Sequence, residues 1–190
     1  MLNKSLPAQS MKYAIANKNE KYIETIIKGA QEAGMKMDDA RVKAVYLDYY
    51  TKTNNSDGIK RIVKEVMGKI CSATDFAKLK KEHAEIQLLP NKNLYTSKAM
   101  NLSRAIIDYA KLYSQHANNE DDKKTILNWI DLSLGLEVEN SYTLSAAANL
   151  IYKYGDKKKA IDLKQKSVTL PESKELYKEE LGKMLTNQSL

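Results

Sequence analysis

Cysteine is almost missing from this 190-residue chain: Cys71 is the only one, which excludes an intrachain disulfide and a CxxC redox pair. Histidine is nearly as scarce, with His83 and His116 and no HExxH pattern, so the residues of a zinc centre are not assembled. Seven glycines and three prolines are too few for a turn-rich β architecture. No apolar run approaches the roughly 18 residues of a membrane span. GxxxxGK[ST], GxGxxG and GxSxG are all lacking, which removes the phosphate cradle and the nucleophile elbow. The opening segment MLNKSLPAQSMKYA has no apolar core of a secretion signal. Two readings of origin stay open: a cytoplasmic chain, or a piece of a longer exported protein.

What is present is a soluble, helix-forming composition, 43% apolar and 29% charged, enough to build a core and cover it. The formal charge is +7, yet 31 basic residues are interleaved with 24 acidic ones. Lys78–Lys80–Lys81 and Lys157–Lys158–Lys159 both adjoin acids, as solvated helix faces do. Nucleic acid is therefore not the favoured partner. Its best case is Tyr46, Tyr49 and Tyr50 with Lys43 and Lys52, which could offer stacking platforms and cations. Tyr46 and Tyr49 nevertheless fall on an apolar stripe.

Helical periodicity runs through the whole chain. Residues 8–17 and 19–34 read as a first pair, with Asn19 as cap and Gly34 as stop. Asp38 or Asp39 opens the next helix, and TNNSDG ends it, with Ser56 or Asp57 capping its successor. Ile59, Ile62, Val63, Val66, Met67 and Ile70 then make a continuous apolar stripe. Cys71 extends it and is expected to be a buried thiol. Residues 74–87 form another helix or prolong the previous one. LLPNKNLYTS (88–97) reads as a loop that subdivides a single 1–190 helical domain into 1–87 and 98–190. Helices follow over 98–116, with Leu102, Ala105, Ile106, Tyr109, Leu112 and Tyr113 on one side, and over 123–136. Asn140 or Ser141 caps the next, which Gly155 closes, and Asp156 caps another that Pro171 ends. A final helix spans 172–186.

Residues 141–170 resemble a tetratricopeptide repeat. Ala148, Ala160 and Ser167 are small where paired helices would cross, and Gly155–Asp156 matches the tight turn. Leu144, Ala147 and Lys164 depart from the pattern, Lys164 standing where a large apolar side chain is usual. The order DYAKLYSQ, ILNWIDLSLGLE and NLIYKYGDKKKAIDLKQKSVTL is similar to the helical C-terminal region of bacterial thioredoxin-like proteins, over roughly residues 101–186. The thioredoxin domain itself is not in the chain. The resemblance implies an all-α, right-handed stack of antiparallel helix pairs, a tetratricopeptide-like α-solenoid of about eight or nine helices. It also implies an accessory region, in the periplasm or cell envelope if the link holds and in the cytoplasm otherwise.

The chemistry expected is recognition rather than catalysis, with no cofactor or metal. Tyr142, Ser145, Asn149, Tyr152 and Lys153 fall near the face that such a repeat turns toward its groove. Asn149 could bind a peptide backbone and Lys153 an acidic group. The partner expected is a protein or peptide, with a structural homodimer as the alternative. His83 and His116 read as partly exposed side chains. Glu120–Asp121–Asp122 read as helix-capping acids, and Asp38–Asp39 and Glu179–Glu180 as solvated carboxylates.

Overall fold

A computed structural model describes residues 6–92 and 96–190. Residues 1–5 of the opening segment and 93–95 of the 88–97 segment lie outside the described residues. All regular structure among the described residues is helical, with no strand. The helices are α1 Leu6–Ala16, α2 Lys21–Glu32, α3 Asp39–Lys52, α4 Ser56–Ala73, α5 Phe76–Gln87, α6 Lys98–Ser114, α7 Glu120–Gly135, α8 Ser141–Tyr154, α9 Lys157–Thr169 and α10 Glu175–Leu185. These ten exceed the expected eight or nine because α5 does not prolong α4. Asp75 is extended (φ −84°, ψ 91°), and its carboxylate accepts the Lys78 N–H at 2.9 Å, starting a new helix.

Short polar side chains set most helix starts. Asp38 accepts from Arg41 N–H, Ser97 from Met100, Asn119 from Asp122, Asn140 from Thr143, and Asp156 from Lys158 and Lys159. Asn19 Oδ1 accepts the Lys21 N–H at 3.2 Å. For α4 the cap is Asn55, which accepts the Gly58 N–H at 2.9 Å, rather than Ser56 or Asp57. Helix α7 begins at Glu120, so the three acids form its first turn, where the helix dipole favours them. Gly34 ends α2 in the left-handed region (φ 78°), and the next N–H, of Met35, returns to Ala30 O at 2.9 Å.

The chain divides into two compact units, Met1–Ser72 and Ala73–Leu190. In the first, Ile23 and Ile26 of α2, Tyr49 and Tyr50 of α3, and Ile59, Ile62, Val63 and Met67 of α4 form the core. The Tyr50 ring lies so close to α4 that a Cβ on Gly58 would stand 2.5 Å from it. Glycine is thus required there by close approach. The Tyr50 hydroxyl donates to Glu20 Oε1 at 2.5 Å, and Arg61 donates to both of them. Burial, then the Glu20 carboxylate, pushes the Tyr50 phenol far above its ordinary pKa. Cys71 is exposed, not buried, because the stripe ends at Met67 and Ile70.

The second unit begins at α5, which packs on α6; Phe76 and Leu79, like Met100 and Leu102, pack against the buried cluster of Ala99, Leu136 and Val138. Helices α6 and α7 run antiparallel, joined at one end by the Ser103 and Ser133 hydroxyls (2.7 Å) and at the other by Tyr113 and Asp122 (2.5 Å). The buried face of α6 is Ala99, Ser103, Ile106, Ile107, Ala110 and Tyr113. Leu102, Ala105, Tyr109 and Leu112, expected to share the core stripe, are half-buried. Helices α7 and α8 both pack on α6, and its buried face mixes the small Ala99, Ser103 and Ala110 with the larger Ile106, Ile107 and Tyr113. Helix α8 has nine buried residues out of 14, so neighbours enclose most of its circumference. Ala148, Ala160 and Ser167 are fully buried (0% exposed), the small residues lying on the paired helices α8 and α9.

Candidate functional site

The polar residues of α8 meet two different helices. On the α6 side, the Tyr142 hydroxyl donates to Asp108, and Lys111 Nζ donates to that hydroxyl at 3.3 Å. Arg104 and Lys111 each place their charge 5.1 Å from the Tyr142 ring centre, a cation–π geometry. Burial and then the Asp108 carboxylate push the Tyr142 phenol up to about 12. The phenol therefore stays neutral at physiological pH.

On the other side stands α10. Asn149 Nδ2 donates to Glu180 Oε1 at 3.0 Å, and Ser145 Oγ lies 3.4 Å from Glu180 Oε2. The Tyr152 hydroxyl is 3.3 Å from both Met184 O and Asn187 Oδ1. At the centre is Lys164 of α9, 0% exposed. Its ammonium donates to Ser145 O at 3.1 Å, to Ser145 Oγ at 2.6 Å and to Glu180 Oε2 at 2.6 Å. All three donors are thereby used. Burial pushes its pKa below the usual lysine value, while the Glu180 carboxylate opposes that shift. Glu180 is consequently not a solvated acid: only 18% of its side chain is exposed.

The sequence-level set is therefore partly assembled. Ser145, Asn149 and Tyr152 converge, but on α10; Tyr142 faces α6. Lys153 is exposed and lies over the Tyr154 ring at 4.8 Å. Sequence reasoning missed Lys164 and Glu180 as a pair. The signal was the lysine at an apolar position of the repeat pattern, since a charge on a buried face implies a partner.

Where α6, α8 and α10 meet, a cavity of about 320 Å³ opens, lined among others by Lys111, Tyr142, Asn149, Leu150, Lys174 and Tyr177. Aromatic and aliphatic walls give it contact area, and its charged lining is Lys111, Lys174 and Glu180, the last already paired with Lys164. Asn149 Oδ1 and Ser141 Oγ, both on α8, are buried with no hydrogen-bond partner, and Asn149 Oδ1 is the one that belongs to a residue lining the cavity. A larger depression of about 530 Å³ between α5 and α7 is more open, and its charged lining residues Lys80 and Asp131 are already paired with Glu137 and Lys159. It offers less discriminating chemistry.

His83 is buried at 4% exposure, contrary to the expectation of a partly exposed ring, with Nδ1 2.8 Å from Ser97 Oγ. Burial lowers its pKa. Asp122 is also buried and accepts the Asn118 N–H at 3.1 Å. Among the described residues, no three His, Cys, Asp or Glu side chains converge on a metal position, and no helix is long and apolar enough to cross a membrane. Of the groups suited to base stacking, Tyr49 is 3% and Tyr50 0% exposed, while Lys43 pairs with Glu65 at 3.4 Å and Lys52 with Asp48 at 2.8 Å. No protein-family model, curated protein or solved structure matches the chain.

Proposed function

We propose that this chain is a non-enzymatic helical-repeat module that binds a protein or peptide on the face shared by α6, α8 and α10. In this reading residues 98–185 form a right-handed, tetratricopeptide-like stack, and α6, α8 and α10 are its equivalent first helices. The register of their side-chain contacts supports it. Tyr142 meets Asp108 34 residues earlier, while Asn149 and Tyr152 are separated by 31 and 32 residues from their α10 partners and Tyr152 by 35 from Asn187 just beyond that helix. Those offsets bracket the roughly 34-residue tetratricopeptide period. The similarity to the accessory region of thioredoxin-like proteins belongs to the same reading.

The observation that carries the proposal is the cavity walled by Tyr142 and Tyr177 and edged by Lys111 and Lys174. Rigid aromatic area beside cations suits a peptide with an apolar side chain and an acidic group. Selection from a random peptide display library tests it. Selected peptides should bind the chain at least tenfold more weakly after Tyr142→Ala combined with Lys111→Ala, with helicity by circular dichroism unchanged. Peptides that bind both forms equally, or a library that yields none, would remove the proposal.

A further inference from the structure

Seen from α8 and α9, helix α10 is an occupant whose recognition chemistry is already displayed. Its Tyr177, Glu180 and Met184 lie at i, i+3 and i+7, hence on one helix face. Tyr177 is 6% and Met184 2% exposed. Between them, both Glu180 carboxylate oxygens are read separately, Oε2 by Lys164 and Oε1 by Asn149. A carboxamide in this place would direct an N–H at one of the two donors. A lysine would oppose the buried ammonium.

We propose that the α8–α9 surface recognises an amphipathic helix presenting an aromatic ring, a carboxylate and an unbranched apolar side chain at i, i+3 and i+7, with α10 as its intramolecular occupant. This rests on the reading that the α8 face binds proteins, and it names the partner class. Charge complementarity carries it. Lys164 sits under the occupant with every donor satisfied only while a carboxylate is present. The occupant is also suited to exchange. Helix α10 has 11 residues, a length marginal for an isolated helix, and the segment from Leu170 to Lys174 with Pro171 tethers it. Its outward Leu176 and Leu185 are 55% and 59% exposed, so its attachment is through the recognised face. A partner helix must therefore outcompete only the effective concentration that the tether confers.

The test uses the full chain and a fluorescent synthetic peptide of residues 172–190, read by anisotropy. A Glu180→Lys chain, whose own helix is repelled by Lys164, should bind the peptide at least tenfold tighter than the wild-type chain does. The same peptide carrying Glu180→Lys should not bind that chain, and a Lys164→Glu chain should reverse the preference between the two peptides. Glu180→Gln is the milder second variant and should also bind the wild-type peptide more tightly than wild type. Equal binding of both peptides by all chains would overturn the proposal. So would unfolding of both Glu180 variants, since α10 would then be an inseparable part of the fold. Library peptides that still depend on Tyr142 and Lys111 would, in that event, leave the cavity reading standing and reject the helix class alone.

Discussion

The two units each bury a polar side chain against a carboxylate, but they differ in what is buried. In residues 1–72 the most deeply buried is the neutral Tyr50 phenol, whose partners Glu20 and Arg61 are about half exposed at 48% and 57%; Lys43, 8% exposed, also pairs there with Asp39 and Glu65, which are themselves about half exposed. In residues 73–190 it is the Lys164 ammonium, wholly enclosed, with Glu180 largely enclosed as well. A neutral donor can lose its partner at the cost of one hydrogen bond, about 1 kcal/mol. An enclosed charge that loses its counter-charge costs several times more. The polar contacts of the first unit thus keep a solvent-exposed partner, whereas in the Lys164–Glu180 pair both charges are largely withdrawn from water.

The largest expected effect follows from that contrast. Glu180→Gln should lower the stability of the second unit by about 3 kcal/mol, because Lys164 remains buried without a counter-charge. Replacing the pair together, Lys164→Met with Glu180→Leu, should keep stability within about 1 kcal/mol of wild type or raise it. Urea denaturation followed by circular dichroism measures both. Equal losses from the single and double replacements would show that charge is not what matters there.

Next in size is a test of shape in the first unit. Gly58→Ala should cost about 1–3 kcal/mol, since its Cβ would stand 2.5 Å from the Tyr50 ring and that ring is packed on all sides. Gly68→Ala, in the same helix with nothing within 4 Å, should instead stabilise by about 0.5–1 kcal/mol. Thermal melts that rank the two alike would contradict the close-approach argument.

The smallest effect is a pH dependence confined to the second unit. Burial lowers the folded-state pKa of His83 below its ordinary 6.5. Between those two values the unfolded chain binds the extra proton, so stability falls as pH drops through that window and is regained above it. His83→Gln should flatten this slope in melts taken from pH 7 downward. An unchanged slope would assign the dependence to other groups.

Much of the fold was legible because helical spacing reports burial on one face at a time. The stripe from Ile59 to Met67 and the cap Asp156 follow directly from residue type and position, and Asp38 and Asn140 are each one of two adjacent candidates that the sequence offers. Cys71 shows where periodicity misleads: the pattern continues past the last packed turn, and the thiol faces solvent. On α6, contact with more than one neighbour places Ala99, Ser103, Ile107 and Ala110 on the buried line beside Ile106 and Tyr113, and leaves Leu102, Tyr109 and Leu112 half-buried. The candidate site was legible only from one side. Asn149 reads as a hydrogen-bonding group and Tyr152 as a groove residue, but their partners lie 31 to 35 residues away, on α10 and at Asn187 just beyond it. No local pattern shows that Glu180 turns inward while its neighbour Glu179 stays exposed. That choice is made by Lys164, on another helix.

A charge-reversal cycle on the full chain probes the Lys164–Glu180 contact most directly: Lys164→Glu, Glu180→Lys and both together, compared by urea denaturation. Each single reversal should destabilise, and the double should recover most of the loss, with a coupling of about 2–3 kcal/mol. Additive losses with no recovery would mean that α10 is not held against α8 and α9 by this pair.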